Sequence, residues 1–370
     1  MATLYFHIPF CKRICSYCDF YKVGAMEFMP SVVEMMHREL EERANYLKER
    51  ELSSIYFGGG TPSLLPPGEI ERLTEHARRL FTTSHVEEIT LEANPDDITE
   101  EYARALADTS IDRVSLGVQS FDDGVLSFMN RRHTARDAHQ AIERLRRCGF
   151  KNISIDIIFG VGGFGPDWLR TTLDEAVATE VEHISAYHLT VEERTRLGLM
   201  VRRGEYKPID EEQSEADYTL VESVLQRAGY EHYEVSNYAR AGYRAKHNSA
   251  YWRGVEYLGI GPGAHSFSGD DRRWLISSVK EYAQGNMVFD SETLSNVEHL
   301  NEYVMTSLRC VEGLDLDYVA EHYGVEQAER IERESRSWMQ AGVVVRSGSH
   351  LAIPTSKFML SDAVIETLFV

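Results

Sequence analysis

The sequence lacks several features that would place it in a class of protein at once. No apolar run approaches the ~20 residues that span a bilayer, and the N-terminus has no basic segment followed by an apolar one. We therefore predict neither a membrane span nor a secretory signal. Positive charge is scarce, because 39 Lys and Arg residues stand against 59 Asp and Glu, a formal net charge of −20. With no long basic run, we expect no nucleic-acid partner and at most transient membrane contact.

Cysteine is also scarce, with five residues in a chain of 370. Cys11, Cys15 and Cys18 form a tight cluster, and the odd total does not suit a disulfide framework. We expect a cytoplasmic protein whose thiols stay reduced, where such a cluster indicates metal or redox chemistry. Cys148 and Cys310 stand alone in the sequence, and we interpret them as small buried hydrophobic residues.

What the sequence does contain is a regular alternation of strand-like and helix-like segments. The hydrophobic content of 43% allows a sizeable core, and the length predicts about two domains. Predicted strands cover residues 3–8, 54–57, 88–92, 113–118, 154–159 and 183–189, with helical periodicity between them. Six such units predict an α/β fold, a partial (β/α)6 TIM-like barrel, with a doubly wound open sheet as the alternative.

The pattern changes after about residue 280. Residues 296–308, 316–322, 326–342 and 357–368 are predicted to be helical, and residues 343–346 and 350–353 are predicted to form a hairpin. We therefore expect a barrel core with a barrel-closing extension over residues 1–280. A small helical, winged-helix-like domain is expected over residues 281–370. Because this second segment is not basic, a packing or lid role is expected for it rather than DNA binding.

Polar and glycine-rich motifs occur at the same end of every predicted strand. The cysteine loop follows the first strand, and G-G-G-T-P (58–62) follows the second. The later strands end in L-E-A-N-P (91–95), G-V-Q-S-F (117–121), D-I-I-F-G (156–160) and Y-H-L-T (187–190). In a (β/α) barrel these strand ends meet at one rim, where active sites are built. The sequence therefore predicts a ligand site at that rim.

The cysteine loop C-K-R-I-C-S-Y-C has the spacing C-x3-C-x2-C. Three thiolates can each hold one iron of a 4Fe–4S cubane, which leaves the fourth iron free for a small ligand. The alternative is a Cys3His zinc site with His7 as the fourth ligand. Structural zinc usually brings a second C-x2-C pair, and no such pair occurs here, so we favour the cluster.

This loop, the preceding Y-F-H-I-P-F and the strand-end motifs resemble the radical S-adenosylmethionine (SAM) superfamily over nearly the whole chain. The nearest branch contains the oxygen-independent coproporphyrinogen III oxidases and their relatives, the haem chaperones of the HemW family. The resemblance implies that Cys11, Cys15 and Cys18 hold a 4Fe–4S cluster whose open iron binds SAM. It also implies cleavage of SAM to methionine and a 5′-deoxyadenosyl radical, chemistry that the cofactor supplies and the protein positions.

The resemblance further implies a set of SAM-binding residues. Tyr5, Gly59 and Glu92 match positions that bind the cluster-bound SAM. The positions that hold a second SAM in the oxidases are matched by Tyr17, Gly60, Thr61, Gln119, Arg131, Asp156 and Thr190. Amide, guanidinium and carboxylate groups suit the polar atoms of such a ligand. No residue is assigned a separate catalytic role.

Three features separate the two branches. Phe20 stands where the oxidases have a further Cys, and from the early position of Cys11 we expect no N-terminal arm like that of the oxidases. The motif H-N-S-A-Y-W resembles the proposed haem motif of the chaperones, with His247 as an axial iron ligand and Tyr251 and Trp252 stacking on the macrocycle. The alternative for this motif is a well-packed loop with a hydrogen-bonded His.

The resulting hypothesis is a haem chaperone of the radical SAM type rather than an oxidase. It is expected to bind a 4Fe–4S cluster, SAM and haem, with the haem held by His247, and to deliver haem to acceptor haemoproteins such as respiratory enzymes. An electron donor is a further expected partner. Two alternatives remain, an oxygen-independent coproporphyrinogen III oxidase and a zinc-bearing barrel without enzymatic activity.

Overall fold

The computed structural model describes residues 1–165 and 167–370. Its strands are β1 (Ala2–Ile8), β2 (Leu52–Gly59), β3 (Glu88–Ala93), β4 (Arg113–Gln119), β5 (Asn152–Phe159), β6 (His183–His188), β7 (Glu231–Glu234), β8 (Asn237–Ala239), β9 (Tyr257–Ile260), β10 (His265–Ser268), β11 (Asp271–Leu275), β12 (Phe289–Thr293), β13 (Leu314–Asp315), β14 (Val345–Ser347) and β15 (His350–Ala352). Its α-helices are α1 (Met29–Arg43), α2 (Pro67–Leu80), α3 (Glu100–Ala107), α4 (Asp123–Phe128), α5 (Ala135–Arg147), α6 (Trp168–Ala178), α7 (Arg196–Arg202), α8 (Glu211–Arg227), α9 (Lys246–Trp252), α10 (Val279–Ala283), α11 (Asn296–Leu308), α12 (Leu316–Tyr323), α13 (Val325–Glu334), α14 (Arg336–Gln340) and α15 (Ser361–Leu368).

Strands β1 to β6 are parallel and pair in chain order. A doubly wound sheet reverses its strand order at a switch point, and no reversal occurs between these six strands. The predicted partial (β/α)6 barrel is therefore confirmed, and the doubly wound alternative was wrong. The carboxyl ends of all six strands therefore lie at the same end of the barrel, which places the six polar motifs at a common rim.

The helices between these strands cover the sheet with one apolar face. In α5, the buried residues Ala138, Ala141, Ile142 and Leu145 follow helical spacing. The helix begins with a capping box, in which the Thr134 side chain and the side chain three residues later satisfy each other's backbone N–H groups. Strand β5 is buried on both faces, and its sequence is a nearly continuous apolar run, as is typical of parallel strands.

A run of short strands widens the sheet beyond the six-strand core. Strand β9 pairs parallel with β1, and β10, β11 and β12 add on antiparallel, while β8 and β7 extend the other edge from β6. Strand β12 lies beyond residue 280 and still belongs to this sheet. The division of the chain at residues 280 and 281 stays a prediction.

The C-terminal part is mostly helical, as predicted, with a small sheet of order β13-β15-β14. The predicted hairpin is present as β14 and β15. The single helix predicted over residues 326–342 is two helices, α13 and α14, which meet at the buried Ser335. The Ser335 hydroxyl donates to the Ile331 carbonyl oxygen, and this local bond competes with straight helical continuation. Among the described residues, no helix is long and apolar enough to cross a bilayer.

Candidate functional site at the strand-end rim

The cysteine loop after β1 is fastened by backbone hydrogen bonds on both sides. The Cys11 N–H donates to the Val23 carbonyl oxygen at 3.0 Å. The Ser16 N–H donates to the Met129 carbonyl oxygen at 3.0 Å, and the Leu197 N–H donates to the Ser16 carbonyl oxygen at 2.8 Å. The loop is therefore held between the end of α4 and the start of α7, which fixes its position over the rim.

The three cysteines of this loop are free thiols of intermediate exposure. The Cys11 Sγ lies 3.4 Å from the Thr61 Oγ1, and Arg131 donates a guanidinium N–H to the Cys15 Sγ at 3.2 Å. Burial raises the pKa of Cys11, and the neighbouring Cys18 and Cys15 thiols raise it further. The Cys18 and Cys15 sulfurs thus lie within electrostatic range of Cys11, so an added positive group would favour the thiolate form of Cys11.

The donor set of this loop suits a cluster better than a zinc ion. Each thiolate of a cubane binds a different iron, so its cysteines need not surround one point. Among the described residues, no three His, Cys, Asp or Glu side chains surround one metal-sized point. The proposed fourth zinc ligand, His7, is buried, with its Nδ1 3.1 Å from the Tyr5 hydroxyl and its Nε2 3.3 Å from the Tyr21 carbonyl oxygen. Three thiols and an engaged histidine fit a cluster with one open iron.

The glycines that follow β2 are required by close packing against the first strand. Gly59 has a φ of +109°, and a Cβ there would lie 2.7 Å from the His7 ring. A Cβ on Gly60 would lie 2.7 Å from the Phe10 carbonyl oxygen. The Gly60 N–H donates to the Ile8 carbonyl oxygen at 2.8 Å. Packing alone therefore accounts for two glycines that the sequence assigned to SAM binding.

Glu92, at the end of β3, is held by two donors from β2. The Tyr56 hydroxyl donates to its Oε1 at 2.7 Å, and the Gly59 N–H donates to its Oε2 at 3.1 Å. Burial raises the pKa of Glu92 to about 7, and the nearby Asp156 carboxylate raises it as well, while the two hydrogen bonds oppose this rise. This carboxyl is therefore close to half-ionised near neutral pH and responsive to a cationic or hydroxyl-bearing ligand.

Asp156, on β5, is the second acidic group of the rim. Burial raises its pKa to about 6, against the effect of hydrogen bonds from the Ser185 and Ser115 side chains. The Asp156 carboxylate in turn raises the pKa of Glu92, as a like charge in one site does. A cation bound between them would lower both pKa values.

Arg131 links three strand ends to the cysteine loop. Besides Cys15, its guanidinium donates to the Asn94 Oδ1 at 2.6 Å and to the Gly117 carbonyl oxygen at 2.5 Å. Asn94 in turn donates from its Nδ2 to the Thr61 Oγ1 at 3.3 Å. The sequence prediction missed Asn94 and Tyr56, although Asn94 lies within L-E-A-N-P, where its strand-end position was the signal that could have found it.

The remaining predicted SAM residues differ in their surroundings. Gln119, which ends β4, is buried and has a φ of 70°, a conformation that a residue other than glycine adopts only under constraint. Tyr17 lies beside Cys15 and Arg131, and burial raises its pKa. Thr190 is exposed in the loop after β6, and its side chain forms no hydrogen bond with the described residues. The structure thus brings all of them to the rim except Thr190, which stands at its outer edge.

His247, in contrast, is enclosed. Its ring is 1% exposed, with Nδ1 2.9 Å from the Ser54 Oγ and Nε2 3.0 Å from the Tyr251 hydroxyl. Its backbone N–H donates to the Glu88 Oε1 at 3.2 Å. Burial lowers the pKa of His247 to about 3, and the Arg113 guanidinium lowers it further, so the ring is neutral. Its predicted role as a haem ligand stays a prediction, and both ring nitrogens have partners in this structure.

A large cleft lies beside α9, between the β9–β11 extension and the C-terminal helices. It has a volume of about 1530 Å³ and reaches from the rim, at Tyr5 and Phe20, to the helices α11 and α12. Four residues of the H-N-S-A-Y-W motif, Ser249, Ala250, Tyr251 and Trp252, line it, whereas His247 does not.

Comparison with known proteins identifies two family matches along this chain. Residues 5–176 match the radical SAM superfamily, and residues 294–356 match the HemN C-terminal domain. The curated heme chaperone HemW of Bacillus subtilis (strain 168) is 34% identical over 331 residues, which cover 88% of this chain and 87% of that protein. The heme chaperone HemW of Mycobacterium tuberculosis (strain ATCC 25618 / H37Rv) is 33% identical over 377 residues, covering 99% of this chain and 94% of that protein.

Among solved structures, the fold is similar to that of the coproporphyrinogen III oxidase HemN of Escherichia coli, described as a radical SAM enzyme. The TM-score is 0.83, and the alignment covers 99% of this chain and 89% of that chain at 21% sequence identity. At this identity the likeness is one of fold.

Proposed function

This chain belongs to the radical SAM superfamily and, within its HemN-like branch, to the HemW family, and we propose on that premise that it is a haem chaperone. It binds a 4Fe–4S cluster, SAM and haem, and it delivers haem to acceptor haemoproteins, among them respiratory enzymes. An electron donor reduces its cluster. The observation that carries the proposal is the cysteine loop, which holds three thiols of intermediate exposure next to the Arg131 guanidinium.

In this proposal Cys11, Cys15 and Cys18 hold the cluster. When bound, the cluster supplies one electron and an open iron coordination site for SAM. Arg131 places positive charge at the Cys15 sulfur through a charge-assisted hydrogen bond. The Thr61 hydroxyl is similarly placed to donate to the Cys11 sulfur.

SAM binds at the rim beside the cysteine loop in the same proposal. Glu92 accepts hydrogen bonds from the cationic or hydroxyl-bearing part of this ligand, and the Tyr56 hydroxyl and the Gly59 N–H keep its carboxylate in place. Gln119, fixed in its left-handed conformation, offers an amide from the neighbouring strand end. Binding of a positive sulfonium here is favoured by the two rim carboxyls, because it relieves their mutual repulsion.

One residue supports the chaperone over the oxidase. Phe20 occupies the position of the further Cys of the oxidases, and its side chain is 72% exposed at the edge of the cleft. A large exposed aromatic residue at this position suits contact with an apolar macrocycle.

The test is anaerobic reconstitution followed by metal analysis and haem transfer. We expect about four iron and four sulfide per chain for the wild type, almost none for Cys15→Ser, and an unchanged content for the control Cys148→Ser. The reconstituted protein should bind haemin and pass it to an apo-haemoprotein acceptor. One zinc per chain would overturn the cluster assignment. Formation of protoporphyrinogen from coproporphyrinogen III with SAM and a reductant would favour the oxidase.

A further inference from the structure

The cleft beside α9 is larger than most small-molecule pockets, which measure roughly 300–1,000 Å³. Its volume of about 1530 Å³ leaves room for a large flat ligand and for movement of the walls around it. Aromatic side chains line it from two parts of the chain, with Tyr251, Trp252 and Tyr257 from α9 and β9, and Tyr303 and Tyr318 from α11 and α12. Walls of this kind favour stacking with an extended planar ring.

The charges at the mouth of the cleft suit a ligand that carries carboxylates. Arg244 and Arg272 also line it, but each already pairs with two glutamates. Arg253 is exposed, lines the cleft and forms no ion pair with any described residue. An amphipathic macrocycle with acidic side arms, such as haem, complements both this free cation and the aromatic walls.

A chain of hydrogen bonds leads from the cleft wall into the core. Tyr251 lines the cleft, its hydroxyl lies 3.0 Å from the His247 Nε2, and the His247 Nδ1 lies 2.9 Å from the Ser54 Oγ. While Tyr251 is a phenol, the His247 ring carries its proton on Nδ1, which donates to the Ser54 Oγ, and its Nε2 accepts the phenol proton. Once that proton has left, the tautomer protonated on Nε2 donates to the Tyr251 oxygen, and Nδ1 accepts from the Ser54 hydroxyl. Burial raises the pKa of the Tyr251 phenol, so the free side chain keeps its proton and its oxygen becomes anionic only when a metal ion replaces that proton.

Given the haem chaperone function proposed above, we propose that ferric haem lies in this cleft with its iron bound by the phenolate oxygen of Tyr251. Tyrosine is an established class of haem ligand. His247 is then a positioning residue, which orients the Tyr251 oxygen and does not itself touch the iron. The enclosed ring of His247, 1% exposed with both nitrogens engaged, is thereby explained without any rearrangement of the core.

The binding step balances without a change of oxidation state. An iron–oxygen bond to Tyr251 forms while the O–H bond of its phenol breaks. The axial hydroxide of aqueous ferric haem takes this proton and leaves as water. Because an anionic oxygen is attracted more strongly by ferric than by ferrous iron, reduction of the bound haem weakens this bond.

The decisive experiment is titration of the wild-type holoprotein with haemin, followed by absorption and resonance Raman spectroscopy. We expect a phenolate-to-iron charge-transfer band and enhanced phenolate vibrations in the wild type. Tyr251→Phe, which keeps the ring, should lose both signals and bind haemin about tenfold more weakly or worse. A tyrosine outside the cleft provides the matched control, because Tyr243→Phe should keep both signals and the wild-type affinity for haemin.

His247→Gln tests the positioning role. Its amide can still bond the Tyr251 oxygen, so the phenolate vibrations should persist at a shifted frequency, with a loss of affinity below about tenfold. Cluster iron content and the thermal melting curve of each variant show whether it has folded. Addition of dithionite to the haem-loaded wild type should weaken haem binding.

The outcomes separate the ligand assignment from the chaperone function. A wild type that binds haemin without phenolate signals overturns the Tyr251 assignment alone. The Tyr251 assignment is also overturned if Tyr251→Phe keeps the wild-type spectrum while His247→Gln loses iron coordination. That result would identify His247 as the ligand. A wild type that takes up no haemin at all overturns both this inference and the proposed function.

Discussion

The two sides of the strand-end rim are built in different ways. After β2 and β3, the predicted ligand residues are held by contacts with the protein itself. Gly59 packs against the His7 ring, and the Thr61 hydroxyl lies between the Cys11 sulfur and the Asn94 amide. After β6, the Thr190 side chain is exposed and forms no hydrogen bond with the part of the chain that the structure describes.

This difference separates two kinds of predicted site residue. On the β2–β3 side, each residue serves both the folded structure and the proposed ligand, so a substitution there should change stability as well as SAM binding. On the β6 side, an exposed residue whose side chain forms no hydrogen bond with the described residues is expected to act mainly through a ligand. Substitutions on the β2–β3 side should therefore lower both the free energy of unfolding and the affinity for SAM. A substitution on the β6 side should lower the affinity for SAM alone.

The largest effect is expected at Gly59. Gly59→Ala places a Cβ at a φ of +109° and 2.7 Å from the buried His7 ring, so both backbone strain and a steric clash oppose it. We expect a loss of roughly 3 to 5 kcal/mol in the free energy of unfolding, measured by urea denaturation. His7 must also shift, which should displace the cysteine loop and lower the iron content after reconstitution.

The matched control for this prediction is Gly68, which lies in the first turn of α2. A Cβ there would meet no atom within 4 Å, and alanine favours the helix by roughly 0.5 to 1 kcal/mol. Gly68→Ala should therefore be neutral or stabilising. An equal effect of the two substitutions would contradict the view that packing fixes the glycines of the rim.

A smaller effect, dependent on pH, is expected at Glu92. Its folded-state pKa of about 7 lies above the ~4.3 of an unfolded glutamate, so the folded protein holds a proton that the unfolded chain has lost. Stability should therefore fall as pH rises from about 4.3 to 7, and a shift of this size corresponds to roughly 4 kcal/mol. Glu92→Gln should remove this part of the decline in urea midpoints.

Glu234 on β7 provides the comparison for Glu92. Burial raises its pKa to about 7 as well, and its carboxylate accepts from the Ser236 N–H rather than from a predicted SAM residue. Glu234→Gln should flatten the pH dependence of stability to a similar degree and leave SAM affinity unchanged. Glu92→Gln should flatten it and also weaken SAM binding. If both variants bound SAM as the wild type does, Glu92 would have only a structural role.

The sequence was sufficient to predict the six core strands and most of the core helices. For example, β5 was predicted at residues 154–159 and covers Asn152–Phe159. Such strands are easy to locate because a parallel strand that is buried on both faces appears in the sequence as a short, continuous apolar run. The strands β7 to β12 were not predicted individually, because the sequence analysis gave only a barrel-closing extension in this part of the chain. They are three to five residues long, and pairing with distant segments determines them rather than local pattern.

Site residues could be predicted less completely than the fold. The motif containing His247 showed that a histidine and two aromatic residues occur together, but not which of them faces the cleft. That outcome depends on Ser54, which lies 193 residues away in the chain and bonds the His247 ring. The pairing of Tyr56 with Glu92 was missed for the same reason, since neighbouring strands bring these residues together across a long sequence separation.

The smallest change in stability is expected at Thr190. Thr190→Val removes a hydroxyl that bonds no described residue, so the free energy of unfolding should change by less than about 0.5 kcal/mol. Thr61→Val, on the other side of the rim, leaves the Asn94 amide without its acceptor and should cost roughly 1 to 2 kcal/mol. Urea denaturation of both variants measures this contrast.

Calorimetry of SAM binding to the reconstituted proteins completes the comparison. If Thr190 bonds SAM, its valine variant should lose about fivefold in affinity, the equivalent of one hydrogen bond of roughly 1 kcal/mol, while its stability stays that of the wild type. An unchanged SAM affinity would remove Thr190 from the site. A large loss of stability would instead show that its loop packs against the rim, and the contrast between the two sides would no longer hold.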